Sequence, residues 1–121
     1  MALLVDTCTL IWLGGGGSQV PGHVRARLAK DEVRVSEISR IEIVIKEAKF
    51  GAFGIDFDAF IRRAGFVDAA FPVGAHRHLA ALPDHHRDPF DRMLIAHALH
   101  EGATLVTSDV DVLKYDVPTF W

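Results

Sequence analysis

Apolar residues along the chain form short continuous runs that alternate with longer segments in which apolar residues recur every three or four positions. The runs have the length of buried strands, and they lie at residues 2–5, 33–35, within 66–73, and at 103–107 and 117–120. The longer segments have helical periodicity, and they lie at residues 7–13, 21–30, 36–50, 56–64, 74–82 and 89–100.

This alternation of strands and helices predicts an α/β fold. Parallel strands joined by helices form a sheet that is covered on both faces, so we predict a three-layer α/β/α domain with a central parallel sheet. The 121 residues suit one domain, spanning residues 1–121. A chain of this length folds without disulfides, and its one cysteine, Cys8, is predicted to be a small core residue.

Composition and charge restrict the environment and the partners of the protein. No apolar run approaches the roughly 20 residues that span a bilayer, and the N-terminal run meets the carboxylate of Asp6 without a basic segment before it. We therefore expect no membrane span, no signal peptide and a cytoplasmic location. Nucleic-acid-binding proteins are often basic, so the net charge of −3 argues either against nucleic acid as a partner or for local basic patches around an acidic site.

Most of the sixteen acidic residues fit exposed faces or loops, Glu101 among them, but two aspartates follow predicted strands. Asp6 comes directly after the first strand, and Asp109 comes shortly after the strand at 103–107. Ligand sites of open α/β sheets lie outside the carboxyl ends of the strands, so both carboxylates are expected at one edge. A helix N-cap, worth about 1 kcal/mol, is the alternative for each.

Glu42 lies in the third predicted helix, at the margin of an apolar face. Helical spacing groups four residues on that face, which we expect to be buried: Ile38, Ile41, Ile45 and Ala48. An ionised carboxylate beside a buried face is unfavourable unless it is paired or bound to a metal. Pairing with Arg40 or Lys46 is the alternative interpretation.

The segment that opens the last predicted helix carries two more acids. Asp88 is expected to be the N-cap and Pro89 the first helical residue. Asp91 lies in the first turn, where the capping box normally has glutamate or glutamine. Capping therefore accounts for Asp88 in full and for Asp91 less well, which makes Asp91 a candidate for chemistry.

Four carboxylates could converge at one edge of the sheet: Asp6, Glu42, Asp91 and Asp109. Two like charges about 4 Å apart repel by about 4 kcal/mol at an effective dielectric constant of 20, against a total domain stability of about 5–15 kcal/mol. Such a cluster requires a cation or proton uptake. Oxygen ligands favour Mg²⁺, or Mn²⁺, over zinc, and these ions activate water for phosphodiester hydrolysis.

Taken in order over the whole chain, these segments resemble the PIN-domain toxins of VapBC toxin–antitoxin systems. The resemblance rests on Asp6-Thr7, Val35–Ser39 followed by Glu42 and Lys46, Asp88–Ala96, Leu105–Asp109 and the final Tyr115–Trp121. It implies a Mg²⁺-dependent endoribonuclease that is usually dimeric and is inhibited by a VapB-like antitoxin. We therefore expect an RNA substrate, a homodimer and an antitoxin partner.

The resemblance also assigns roles to residues of this chain. Asp6, Glu42 and Asp91 correspond to the main metal-site acids, and Asp109 to a fourth, more variable one. Secondary site candidates are Thr7, Asp88, Thr107 and Ser108. Basic residues near these acids are candidates for RNA binding: Arg87, Arg92 and Lys46. Two features depart from the family, namely Cys8-Thr9, where a His-Ala pair is expected, and the Gly14–Gly17 run, which predicts a flexible loop.

Other functions fit the sequence less well. A non-catalytic module that binds an antitoxin and acts in transcriptional autoregulation would not need four convergent carboxylates. The seven histidines come without a cysteine cluster, which disfavours a zinc site. A haloacid-dehalogenase-type phosphatase requires a second aspartate two residues after Asp6, and Cys8 occupies that position.

Overall fold

The fold follows the predicted order of strands and helices. A computed structural model describes residues 2–121. Its strands are β1 (Leu3–Val5), β2 (Val33–Ser36), β3 (Val67–Ala69), β4 (Thr104–Val106) and β5 (Thr119–Phe120). Its α-helices are α1 (Thr7–Gly14), α2 (Gly22–Lys30), α3 (Glu37–Phe50), α4 (Phe57–Ala64), α5 (His76–Ala81) and α6 (Pro89–Glu101), and a 3-10 helix spans Val112–Lys114. Every predicted segment therefore contains an element of the expected type.

The sheet is parallel throughout residues 2–121. Its strand order is β3-β2-β1-β4-β5. β1 lies at the centre, where Leu3 pairs with Val33 of β2 on one side and with Thr104 of β4 on the other. The predicted parallel sheet is confirmed, and the carboxyl ends of β1 and β4 lie side by side at one edge.

Each face of the sheet has its own hydrophobic core, because successive side chains of a strand point to opposite faces. Leu3 and Val5 pack with apolar residues of α1, α2, α3 and α4. Leu4 packs on the opposite face with Ile95 of α6 and with the segment around Tyr115, and α5 packs against α6. Helices cover both faces, which confirms the three-layer α/β/α architecture.

Side-chain caps begin the helices that surround the carboxyl edge of the sheet. Asp6 caps α1, Ser36 caps α3 and Asp88 caps α6, each by accepting a hydrogen bond from a backbone N–H of the first turn. Gly102 ends α6 in the left-handed conformation, with a φ of 64°. No helix of residues 2–121 combines the length and apolar character needed to cross a membrane.

The predicted buried face of α3 is confirmed at Ile38 but is wrong at its other three residues. Ile41 and Ile45 are 46% and 47% exposed, and Ala48 is exposed as well. The residues of α3 that are buried are Ile38, Ser39, Glu42 and Ile43. The helix turns this more polar face towards α1 and α6, so its most apolar stripe faces away from the core.

Two smaller predictions about burial are also wrong. Cys8 is exposed, because α1 directs its neighbours Thr7 and Thr9 inwards and Cys8 outwards. The side chain of Glu101 is only 19% exposed. Its two oxygens accept hydrogen bonds from His97 Nε2 at 2.6 Å and from Arg34 Nη1 at 2.8 Å, so the carboxylate is held by partners rather than by solvent.

Candidate active site

Asp6 is held rigidly where β1 ends and α1 begins. Its side chain is nearly buried, with 5% exposure. Oδ1 accepts a hydrogen bond from Thr9 N at 2.8 Å, and Oδ2 accepts one from Thr107 Oγ1 at 2.5 Å. Burial raises the pKa of Asp6 and the charge of Asp109 raises it further, while the hydrogen bonds from Thr107 and Thr9 lower it. The cap and the site therefore use the same carboxylate.

Thr107 links the ends of β1 and β4. Its hydroxyl donates to Asp6 and accepts from the backbone N–H of Asp109 at 3.1 Å. The Oδ1 atom of Asp109 accepts a hydrogen bond from Asp111 N at 2.8 Å, which fixes its side chain in a short turn. Ser108, between them, is partly buried. The two strand-end acids that the sequence predicted at one edge are therefore joined there by one hydroxyl group.

Glu42 presents a buried oxygen atom with no hydrogen-bond partner in the part of the chain that the structure describes. The residue is 3% exposed. Its Oε2 atom accepts from Lys46 Nζ at 2.8 Å, which raises the pKa of Lys46 and confirms the pairing considered from the sequence. The Oε1 atom is the unpartnered one. An unpaired carboxylate oxygen is unfavourable in a protein interior, and a cation would satisfy it.

Thr7 and Ser39 connect α1 to α3 close to Glu42. The hydroxyl of Thr7 donates to Ser39 Oγ at 3.0 Å, and both residues are buried. Ser39 lies three residues before Glu42 and therefore on the same helix face. Sequence reasoning missed Ser39, although its place on that face was a usable signal.

Asp91 is free of the capping role because Asp88 performs it alone. Asp88 Oδ1 accepts from Phe90 N at 2.9 Å and from Asp91 N at 3.4 Å. The Asp91 side chain is 18% exposed and contacts His86 Nε2 at 3.3 Å. The pKa of Asp91 is raised to about 6, first by burial and then by the charge of Asp88, while the hydrogen bond from His86 opposes the rise.

The acids influence one another across four different elements. The charges of Asp109 and Glu42 both contribute to the raised pKa of Asp91, and Asp109 also acts on Asp6. The acids that follow β1 and β4 and those of α3 and α6 therefore lie close enough to influence one another's ionisation. Partial burial raises the pKa of Cys8, and the charges of Asp6, Asp109 and Asp91 raise it further, while the charge of Lys46 lowers it.

The donors of this cluster suit a hard cation, although they are not gathered tightly around one point. Within residues 2–121, no three histidine, cysteine or acidic side chains are arranged to hold a metal ion. Mg²⁺ is usually bound by one or two carboxylates and retains several waters. The buried Oε1 atom of Glu42 and the raised pKa of Asp91 are both features that a bound cation would relieve.

The basic residues near the cluster differ in availability. Arg92 is turned towards the protein, with Nη1 donating to Pro83 O at 2.7 Å and to Tyr115 Oη at 2.9 Å. Lys46 is paired with Glu42 but remains 44% exposed. Arg87 is exposed in the loop before α6. His86 and Tyr115, which contact Asp91 and Arg92, were missed because they lie in segments without periodicity.

The model of the PIN domain family matches residues 3–118. The chain belongs to the PIN domain family. This match, together with the sheet order and the layers described above, confirms the resemblance at the level of the family. No curated protein matches the chain in sequence.

Solved structures share this PIN fold over nearly the whole chain. One is the structure of VapBC2 from Rickettsia felis bound to a DNA fragment from its promoter. Its match to this protein has a TM-score of 0.75 at 14% sequence identity and covers 99% of this chain and 98% of the matched chain. DNA-bound VapBC from Salmonella typhimurium has a TM-score of 0.67 at 16% identity, covering 99% and 97%. VapBC-1 from nontypeable Haemophilus influenzae has a TM-score of 0.68 at 17% identity, with the same coverage.

Proposed function

We propose that the protein is a VapC-type toxin, a divalent-metal-dependent endoribonuclease that uses Mg²⁺ or Mn²⁺. PIN domains are generally nucleases, and the solved structures with this fold include VapBC complexes. The observation that supports the proposal is the mutual influence of four acids: Asp109 contributes to the raised pKa of both Asp6 and Asp91, and Glu42 contributes to that of Asp91.

Each acid has a distinct part in the proposed site. Asp6, Glu42 and Asp91 would hold the cation, and Asp109 would be a fourth, more peripheral acid. When bound, the cation supplies an activated water and screens the charge of a phosphodiester. The chain itself orients the acids, since Thr107 and the N–H of Thr9 hold both oxygens of Asp6.

The hydroxyl groups and basic residues around the acids have supporting roles in this proposal. Thr7 would hold α3 in place through its hydrogen bond to Ser39. Asp88 and Ser108 would be secondary residues of the site. Arg87 and Lys46 would contact RNA phosphates beside the cation. The guanidinium of Arg92 is engaged by the loop, so we assign it to holding that loop and, secondarily, to RNA binding.

A VapB-like antitoxin and a second copy of the chain are the proposed protein partners, and the proposed location is cytoplasmic. Large apolar side chains are exposed on the outer side of α3 and in the segment that follows it: Ile41, Val44, Ile45, Phe50 and Phe53. Ile41, Val44 and Ile45 share one side of α3 by helical spacing, and exposed apolar residues grouped in this way are typical of a protein–protein interface. This grouping supports at least one protein partner for this domain.

The variant Asp6→Asn tests whether the protein is a nuclease or a catalytically silent interaction module. Asparagine caps helices as well as aspartate does, so the hydrogen bond from Thr9 N is retained and the fold is preserved. We expect cells that express the variant to grow while the protein still binds its antitoxin. Asp84→Asn, a neutralisation of an exposed aspartate, is the matched control and should remain toxic. Undiminished toxicity of Asp6→Asn would instead support the module.

A further inference from the structure

A continuous chain of hydrogen bonds joins Arg92 to Asp91 through Tyr115 and His86. Arg92 Nη1 donates to Tyr115 Oη at 2.9 Å, and the backbone N–H of His86 donates to the same oxygen at 3.3 Å. Tyr115 Oη lies 2.9 Å from His86 Nδ1, and His86 Nε2 lies 3.3 Å from Asp91 Oδ2. The chain therefore ends on an acid of the proposed site.

Counting donors and acceptors along this chain fixes the position of each proton. A guanidinium and a backbone N–H can only donate, so they occupy both lone pairs of Tyr115 Oη. The single proton of that hydroxyl is then directed at His86 Nδ1, which must accept it. A neutral imidazole that accepts at Nδ1 carries its proton on Nε2, and that nitrogen faces the carboxylate of Asp91.

The surroundings keep this arrangement in place. Tyr115 is 4% exposed, and its ring also contacts His85, with the ring centroids 4.8 Å apart. The Arg92 guanidinium is tied to the loop before α6 through the carbonyl of Pro83. The side chain of His86 is 13% exposed. Little solvent competes for these hydrogen bonds, which strengthens them relative to surface contacts.

We propose that His86 is a positioning residue of the proposed active site, held by Tyr115 as the Nε2–H tautomer so that it donates to Asp91 and fixes the orientation of that carboxylate. This inference rests on the proposed function, because it concerns the orientation of a proposed metal ligand. A donor beyond a ligating group both orients it and tunes its affinity, and its loss typically lowers metal affinity or activity about 10–100-fold.

The tautomer is tested first, without metal. In ¹⁵N-resolved NMR of the imidazole rings at pH 8, where an ordinary histidine is neutral, His86 of the wild-type protein should show an unprotonated Nδ1 and a protonated Nε2. Tyr115→Phe keeps the ring but removes the hydroxyl, so the preference for this tautomer should weaken. A protonated Nδ1 in the wild-type protein would overturn the inference, whatever the nuclease activity.

The consequence for the site is tested by Mn²⁺ titration of three variants. His86→Ala should weaken Mn²⁺ binding about 10–100-fold, whereas His86→Gln, whose amide can donate from a similar position, should stay within a few-fold of wild type. His76→Ala is the matched control and should bind like wild type, because His76 is an exposed histidine of another helix, α5.

The outcomes distinguish this inference from the proposed function. Wild-type protein that binds Mn²⁺ and cleaves RNA, together with His86→Ala that binds Mn²⁺ equally well, overturns the positioning role alone. Equal losses in His86→Ala and His86→Gln also overturn it, since they show that the ring itself, rather than its donor, is required. Wild-type protein that neither binds Mn²⁺ nor cleaves RNA overturns the proposed function together with the role of His86.

Discussion

Neutralising Asp91 should stabilise the metal-free protein while removing its response to metal. The raised pKa of Asp91, about 6 against an ordinary 3.8, means that ionisation at pH 7.5 opposes folding. Each tenfold change in an equilibrium constant is worth about 1.4 kcal/mol, so the difference corresponds to about 3 kcal/mol as an upper bound. Partial solvent screening of the 18% exposed side chain reduces this value.

Asp91→Asn also loses the favourable interaction of a negative charge with the helix dipole. The size of this loss, compared with the gain above, decides whether the variant is more or less stable than wild type. A carboxylate in the first turn of a helix contributes about 0.3–1 kcal/mol through the helix dipole. The asparagine oxygen still accepts from His86, so that contact is retained. The net expectation is a gain of about 1–2 kcal/mol in the free energy of unfolding. For a chain of this length that gain raises Tm by about 3–10 °C.

The pH dependence of the stability difference has a definite sign. A group whose folded pKa is raised contributes its full stability below its unfolded pKa, here 3.8, and loses it as the pH rises through the folded value of about 6. The advantage of Asp91→Asn over wild type should therefore be largest above pH 7. It should disappear near pH 4, where Asp91 of the wild-type protein is largely protonated.

Urea denaturation with and without metal measures these effects. In EDTA at pH 7.5 the variant should be more stable than wild type. Mg²⁺ at about 100 times its dissociation constant should stabilise wild type by about 2.7 kcal/mol and the variant by much less. Asp84→Asn, at an exposed position, should lie within about 0.5 kcal/mol of wild type in both conditions. An Asp91→Asn protein that is no more stable than wild type in EDTA would refute the reasoning.

Three further predictions follow from the contacts of the fold and the site. Burial lowers the pKa of His97, and the charge of Arg34 lowers it further, while Glu101 and Glu37 raise it. Wild type should therefore lose stability relative to His97→Gln as the pH falls below about 6.5. Urea denaturation over a range of pH measures this difference. Equal pH slopes would contradict the assignment. Thr107→Val, which removes the donor to Asp6, should lower cleavage and Mn²⁺ affinity about 10–100-fold, and Thr107→Ser should restore both; a fully active valine variant would count against this role. Substitution of an exposed apolar residue of α3 by aspartate, as in Val44→Asp, should change the free energy of unfolding by less than about 0.5 kcal/mol. It should weaken self-association, measured by sedimentation, or antitoxin binding, measured by calorimetry. Unchanged association in both assays would exclude that face as an interface.

The predictable part of the site came from rules that are local in sequence. A carboxylate directly after an apolar strand lies at the carboxyl edge of a parallel sheet, which located Asp6 and Asp109. An aspartate before a proline that opens a helix is an N-cap, which separated the role of Asp88 from that of Asp91. These inferences needed only neighbouring residues and the direction of the strands.

The wrong inner face of α3 shows where hydrophobic periodicity fails. The rule selects the most apolar stripe of a helix as the buried one, and on α3 that stripe contains Ile41 and Ile45, which are exposed. The buried face carries Ser39 and Glu42 instead. The periodicity rule assumes that burial in the core alone sets the orientation of a helix. On α3, the proposed site would require polar residues on the inner face, and the proposed protein-binding surface would require apolar residues on the outer face.

Contacts between distant segments were beyond the reach of the sequence pattern. Tyr115 and His86 lie 29 positions apart. Ser36 and His97 lie 61 positions apart, and their hydrogen bond of 2.8 Å joins the end of β2 to α6. Neither pair is marked by spacing or by composition. Such contacts depend on the packing of α6 and its flanking loop against the sheet, which only the three-dimensional structure specifies.

The central claim is that the acids at the carboxyl edge of the sheet form a metal-dependent ribonuclease site. Its most direct test is cleavage of RNA by the purified protein in Mg²⁺ or in EDTA, with wild type, Asp6→Asn, Asp91→Asn and Asp84→Asn measured in parallel. We expect cleavage by wild type and Asp84→Asn in Mg²⁺, none in EDTA, and strongly reduced cleavage by the other two variants. Cleavage that persists in EDTA, or in both Asp6→Asn and Asp91→Asn, would contradict the claim.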